Sequence, residues 1–202
     1  MKYKVILADP PWQYQDKCTS GERGAGYKYD TLPLSELLSL RIADIADDDC
    51  ALFLWVTAPF MRDGIRVLKS WGFEYKTMAF TWMKTNNDGT PFMGMGNYTR
   101  GNAEFVLLGI KGKPKRVSAG VRSAVLAKRR KHSAKPPEVR GRIGELFGNV
   151  PRVELFARDK CLGWDQTGIE MDGLDIREFL DETAPVDAKK TFRVLAALKN
   201  KK

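Results

Sequence analysis

A single histidine, His132, stands among 202 residues, and the three cysteines, Cys18, Cys50 and Cys161, are an odd number set far apart. A histidine cluster or histidine-based metal site is thereby excluded, and neither a disulfide framework nor a zinc spacing is present. The reducing cytoplasm is the natural compartment for such cysteines. Long hydrophobic runs are missing as well. The longest, Ala51 to Val56 and Phe105 to Ile110, have the length of strands, whereas a membrane-spanning helix needs about 20 apolar residues. Met1-Lys2-Tyr3-Lys4 leads straight into an apolar strand without the pattern of a signal peptide. A soluble protein with no membrane partner is expected.

Acidic residues are absent from one long segment. Lys111, Lys113, Lys115, Arg116, Arg122, Lys128, Arg129, Arg130, Lys131 and Lys135 follow one another with no Asp or Glu between them. The chain carries +9 in all, so this segment holds ten positive charges and the remainder sums to −1. A phosphate backbone is the most economical partner for such a run, with Lys128, Arg129, Arg130 and Lys131 as its densest contact. A solvated loop is the competing explanation.

What is present suits one core. With 43% hydrophobic residues in 202, a single domain over residues 1–183 is expected, followed by a basic tail, 184–202. The tail carries Lys189, Lys190, Arg193, Lys199, Lys201 and Lys202, and both a docked helix and a phosphate-touching arm remain open for it.

Strand candidates are Lys4 to Ala8, Cys50 to Val56, Glu74 to Met83, Ala103 to Ile110, Arg152 to Ala157 and Gly163 to Met171. Helix candidates are Pro33 to Leu40, Pro59 to Trp71 with Phe60, Ile65, Leu68 and Trp71 inward, and Pro137 to Phe147 with Val139, Ile143, Leu146 and Phe147 inward. Asp47-Asp48-Asp49 reads as an exposed acidic turn, Asn86-Asn87-Asp88-Gly89 as a tight one, and Gly94, Gly96 and Gly101 as marks of a mobile loop. Strands alternating with helices predict a mainly parallel α/β sheet with ligands at the carboxyl ends of its strands.

Asp9 stands at such an end, in Val5-Ile6-Leu7-Ala8-Asp9-Pro10-Pro11-Trp12. An apolar strand there delivers one carboxylate to a prolyl turn and then an aromatic ring, which suits a flat base bearing an amine. The exocyclic amine of adenine is a poor nucleophile because its lone pair is delocalised into the ring. If Asp9 and the Pro10 carbonyl accept its two hydrogens, the nitrogen is drawn toward tetrahedral geometry and the lone pair is freed. Proline supplies a carbonyl with no competing N–H, on a fixed φ. Trp12, or a nearby Tyr, can stack on the base. Taken alone, the same residues suit equally well a strand that ends in a prolyl turn with Trp12 in the core. A carboxylate at the end of the last strand candidate, Glu170, suits the two hydroxyls of a ribose.

Asp9-Pro10-Pro11-Trp12 resembles the catalytic motif of the adenine methyltransferases related to the catalytic subunit of the messenger-RNA N6-adenosine writer, a family with many bacterial and phage members. Further similarities follow in order: Tyr29-Asp30-Thr31-Leu32, Leu52 to Val56, Trp82-Met83-Lys84-Thr85-Asn86, Gly101-Asn102-Ala103-Glu104, Gly109 to Gly112, His132 to Pro136, and Glu154-Leu155-Phe156-Ala157-Arg158. The series covers about residues 4 to 172. It departs at Ile169, where family members commonly carry asparagine before the acid or amide.

The resemblance implies a permuted class I, Rossmann-like methyltransferase fold, with S-adenosylmethionine as methyl donor. It implies that Asp9, Pro10, Pro11 and Trp12 hold the target amine and that Lys135, Glu154, Leu155, Phe156, Arg158 and Glu170 hold the cofactor. Tyr29 and Glu104 would hold the base or the methionine end, and Lys84 would lie on the substrate side. The function expected is N6-adenine methylation of DNA, on a flipped-out or single-stranded base. DNA is preferred because so small a chain leaves no room for a separate RNA-binding module. An RNA methylase of the same fold and a non-catalytic nucleic-acid-binding subunit are the alternatives.

Overall fold

The computed structural model describes residues 2–13, 31–94, 96, 98–130, 134–169, 171 and 173–183. Tyr29, Lys131, His132, Glu170 and the basic tail lie outside the described residues. One seven-stranded sheet organises the rest. In chain order its elements are β1 (Tyr3–Ala8), α1 (Leu34–Ser39), β2 (Ala46–Val56), α2 (Met61–Ser70), β3 (Glu74–Thr85), β4 (Ala103–Lys111), β5 (Ala124–Lys128), α3 (Pro137–Phe147), β6 (Arg152–Leu155), β7 (Asp165–Thr167) and α4 (Ile176–Thr183). Across the sheet the order is β5-β3-β4-β2-β1-β6-β7.

β1 sits between β2 and β6, parallel to both. Its apolar run is unbroken because both faces are buried, as parallel strands covered by helices require. Val5 and Leu7 point to one face, with Ala51, Phe53 and Trp55 of β2, and meet Val139, Ile143 and Phe147 of α3. Ile6 and Ala8 point to the other, with Leu52, Leu54 and Val56, against Leu37 of α1, Val67 and Leu68 of α2 and Leu180 of α4. The result is a helix–sheet–helix sandwich with two apolar clusters, one on each side of the strands.

The expected strands and helices form, and the mainly parallel sheet holds with one exception. β4 runs antiparallel to both β2 and β3. An apolar run such as Phe105 to Ile110 carries no direction, so its sense follows from the chain crossing back after β3. Asp47 to Asp49 form no turn but lie within β2, as a bulge where Tyr3 opposes Ala46 and Val5 opposes Ala51. The strand expected over Gly163 to Met171 shrinks to Asp165–Thr167. Ile65 faces solvent at 38% exposure while Gly64 packs inward, its α-carbon side close to Val56 and Leu107.

Gly94 and Gly96 serve close approach: a Cβ on Gly94 would lie 1.8 Å from the Gly101 carbonyl oxygen, and one on Gly96 would lie 2.0 Å from that of Thr99. α4 was not among the expected helices.

The basic segment is no loose loop either. It docks through Val117 N to Leu146 O at 2.8 Å, and the Arg142 guanidinium donates to the carbonyls of Arg122 and Ala124 at 2.7 and 2.6 Å. β5 then pairs in parallel with the end of β3. Lys111 is left at the opposite end of the sheet from Asp9, 3.8 Å from Asp48.

Trp71, fully buried, ties the helical layer together by donating its indole N–H to the Leu37 carbonyl at 2.7 Å. The same carbonyl accepts a longer bond, 3.4 Å, from Leu40 N at the end of α1. Trp71→Phe is expected to lower unfolding free energy by about 1–3 kcal/mol through the lost bond and lost ring volume. The measurement is the urea midpoint, which should fall with its slope unchanged.

Candidate active site

The carboxyl ends of the parallel strands open on one cleft of about 570 Å³, a size usual for small-molecule and cofactor sites. Asp9 to Trp12 leave β1 here, Trp55 to Thr57 end β2, and Trp82 with Lys84 to Asn87 end β3. Arg129 and Arg130 follow β5, Ala134 and Lys135 precede α3, and Arg158 follows β6. Glu104 reaches the same edge because β4 runs backwards, so its start lies beside the end of β3, where Glu104 opposes Trp82.

Four charges alternate across the cleft. Lys135 Nζ lies 2.6 Å from Asp9 Oδ2 and 3.4 Å from Glu104 Oε2, and Lys84 Nζ lies 2.5 Å from Glu104 Oε1. Burial pushes the Asp9 carboxyl above the ordinary aspartate range, while Lys135 pulls the other way. Burial also opposes ionisation of Glu104, yet Lys135 and Lys84 together hold it below the usual glutamate range. Lys135 is itself disfavoured as a cation by burial, and Asp9 and Glu104 more than restore it, so its ammonium persists above the ordinary lysine range.

Two indoles wall the charges. Lys135 stands over Trp55 at 5.5 Å and Lys84 over Trp82 at 5.1 Å, distances suited to cation–π attraction. The two rings meet edge to face at 6.3 Å. Their place in the site is hidden in the sequence, where both read as strand residues.

The prolyl turn is fixed by its own backbone. Trp12 N donates to the Pro10 carbonyl at 2.9 Å, Leu32 N to the Pro11 carbonyl at 2.9 Å, and Asp9 N to the Leu155 carbonyl at 3.3 Å. Since a carbonyl has two lone pairs, Pro10 retains one acceptor site. Trp12 lines the cleft but is only 7% exposed; it stacks on Phe60 at 5.2 Å and donates its indole N–H to the Trp55 carbonyl at 3.0 Å. Phe60 thus covers one face of its ring, and the indole N–H ties the turn to the end of β2.

The residues expected to hold a cofactor divide in two. Lys135 and Arg158 line the cleft, whereas the side chains of Glu154, Leu155 and Phe156 do not. Glu154 is committed to Arg140 at 2.9 Å and Gln166 Nε2 at 2.7 Å; burial raises its pKa, against Arg140. Leu155 is fully buried in the core. Phe156 takes a left-handed backbone, φ 61°, unusual for a bulky residue. The chain then returns to β7 through Ala157 N to Thr167 O at 2.8 Å, leaving no room for a Cβ on Gly168, which would lie 2.2 Å from the Ala157 carbonyl oxygen. These residues aim Arg158. Of the residues expected on the substrate side, Lys84, Glu104, Arg129 and Arg130 line the cleft, while Lys128 is exposed beyond its lining.

Comparison with known proteins accords with this arrangement. The MT-A70 family model matches residues 3–170. The Type II methyltransferase M.MunI of a Mycoplasma species is 40% identical over 188 residues, covering 84% of this chain and 78% of its own. The human N(6)-adenosine-methyltransferase catalytic subunit METTL3 is 31% identical over 180 residues, covering 87% of this chain but 29% of its own. The Arabidopsis thaliana N6-adenosine-methyltransferase non-catalytic subunit MTB is 32% identical over 123 residues, 59% of this chain and 15% of its own. With a family model matched over most of its length and its apolar strand leading into Asp9-Pro10-Pro11-Trp12 at the mouth of the cleft, the chain belongs to the MT-A70 family of methyltransferases.

Proposed function

We propose that this enzyme transfers a methyl group from S-adenosylmethionine to the exocyclic amine of an adenine in DNA, taken up as a flipped-out or single-stranded base. The observation that carries the reading is the buried Asp9 carboxylate beside the Pro10 carbonyl at the mouth of β1, with Lys135 2.6 Å away. The likeness to the Type II methyltransferase M.MunI supports DNA as the substrate. The likeness to METTL3 supports RNA as the second reading, and parallel assays on DNA and RNA oligonucleotides of one sequence decide between them. The intact Asp9 turn weighs against a non-catalytic role, since an inert scaffold has no need to bury a carboxylate there.

The donor set fits the cofactor. Lys135 and Arg158 offer cations for its carboxylate, Glu104 offers an acceptor for its ammonium, and Trp55 and Trp82 give apolar walls. S-adenosylmethionine, when bound, supplies an electrophilic methyl group on a sulfonium. Asp9 and the free lone pair of the Pro10 carbonyl accept the two amine hydrogens of adenine, which localises the nitrogen lone pair for attack. Lys135 keeps Asp9 ionised, and an ionised carboxylate only accepts hydrogen bonds. Glu104, itself paired with Lys84, in turn holds the Lys135 ammonium. A base within a duplex hides this amine in its stack, so the base must leave the helix to reach Asp9.

Asp9→Ala is expected to abolish methyl transfer while S-adenosylmethionine binding is retained, because Glu104 still pairs with Lys135. Radiolabel transfer and calorimetric titration read the two separately, and near-normal turnover would sink the mechanism. A second expectation follows from the raised pKa of Asp9. A carboxyl with a raised pKa takes up its proton at higher pH than free aspartate, about 3.9, so turnover should fall on acidification with a midpoint above that value. Lys135 lowers that pKa, so in any residual activity of Lys135→Met the acid limb should move further up. Finally, neutralising Lys128, Arg129 and Arg130 to Gln should weaken binding to all sequences alike. Each lost phosphate contact flattens the slope of log affinity against log salt by about 0.9. An unchanged slope would leave these residues as solvated charge.

A further inference from the structure

The connection from β3 to β4 begins with a turn locked from within. Asn86 N donates to the Thr90 carbonyl at 2.8 Å, and Asn86 Nδ2 donates to Thr90 Oγ1 at 3.0 Å and to the Pro91 carbonyl at 3.3 Å. Asp88 Oδ1 accepts from Thr90 N at 3.0 Å and from Thr90 Oγ1 at 2.7 Å. Gly89 sits at φ +84° with open space around it, as the turn demands. Beyond the turn, Phe92 N bonds back to the Lys84 carbonyl at 2.9 Å, and the Arg129 guanidinium lies over the Phe92 ring at 3.8 Å.

The side chains of Asn86, Asp88 and Thr90 are thus spent on the turn itself. Asn87 is not. It is exposed, it lines the cleft that Asp9 also lines, and its carboxamide bonds to no other described residue. A turn whose backbone is already fixed presents this unused carboxamide at the lip of the cleft, as a donor and an acceptor with only the side chain left to order. Beside it, Arg129 and Arg130 supply the positive charge that fixes a backbone in register but reads no sequence.

We propose that Asn87 is a specificity-determining residue that reads an adenine flanking the methylated one. The match is chemical: the carboxamide donates to N7 and accepts from the N6 amine of adenine, a pairing that no other base offers with both contacts in the major groove of a duplex. This rests on the reading that the chain methylates adenine in DNA, and it adds a second base contact outside the reacting one. Asn87 touches no charge of the catalytic group, so its loss leaves the chemical step intact.

The test uses a duplex library with one central adenine and randomised flanks, methylated by wild type, Asn87→Ala and Asn87→Asp and read by sequencing of the methylated fraction. Wild type should favour adenine at one flanking position. Asn87→Ala should lower that preference about tenfold, with turnover on the whole library within a few-fold and the salt slope of binding unchanged. Asn87→Asp, which only accepts, should move the preference toward cytosine, whose N4 amine donates. A preference profile that survives Asn87→Ala, or a wild-type profile with no flanking adenine, overturns the inference while leaving the enzyme reading standing. A wild type that methylates no library member, in DNA or RNA form, overturns both.

Discussion

Everything at the mouth of the cleft depends on the ion pair between Asp9 and Lys135. Both side chains are largely withdrawn from water, at 13% and 17% exposure, and removing an ion from water costs several kcal/mol unless a partner returns it. The return comes from alternation of sign: Lys84, Glu104, Lys135 and Asp9 form a chain in which each charge has an opposite neighbour. The sheet makes the alternation possible, because it delivers each of the four from a different element to one edge. A gap in the chain would leave a buried charge uncompensated, which is far worse than never having buried it.

Much of this was legible in the sequence, for reasons that differ from residue to residue. The strand leading to Asp9 could be read because burial on both faces demands an unbroken apolar run, and α3 because Pro137 and Gly148 bracket a helical spacing. The direction of β4 could not, since Phe105 to Ile110 reads the same either way. β5 was hidden because its few apolar residues, Ala124 to Ala127, lie inside a basic run whose charge dominates any composition count. Glu154 shows the opposite difficulty. A motif match marks it as part of the site, whereas its carboxylate is occupied by Arg140 and Gln166 and supports the loop that aims Arg158.

Positive charge sorts by position rather than by sequence. Ten basic residues that follow one another without an acid are divided by the fold into distinct tasks. Lys111 balances the Asp48 bulge at the far end of the sheet, Arg129 and Arg130 stand at the lip of the cleft, and Lys135 pairs with Asp9 and Glu104. A polycation seen along the chain is therefore not a single surface. Likewise Trp12, read from the sequence as an aromatic residue beside a base, and Trp55, read only as part of a strand, differ in use. Trp12 spends its face on Phe60, while Trp55 backs the Lys135 ammonium.

The reversed strand β4 has a consequence for how such an enzyme diversifies. Because β3 and β4 form an antiparallel pair, the segment between them begins and ends at the reacting edge, with Lys84 on one stem and Glu104 on the other, joined by their ion pair. The stems are clamped, so the intervening residues can lengthen, shorten or change composition without displacing either charge. With Asn87 reading the target as proposed, the hairpin separates inheritance of the chemistry from inheritance of the target, and new targets are reached by exchanging a single cassette between fixed posts.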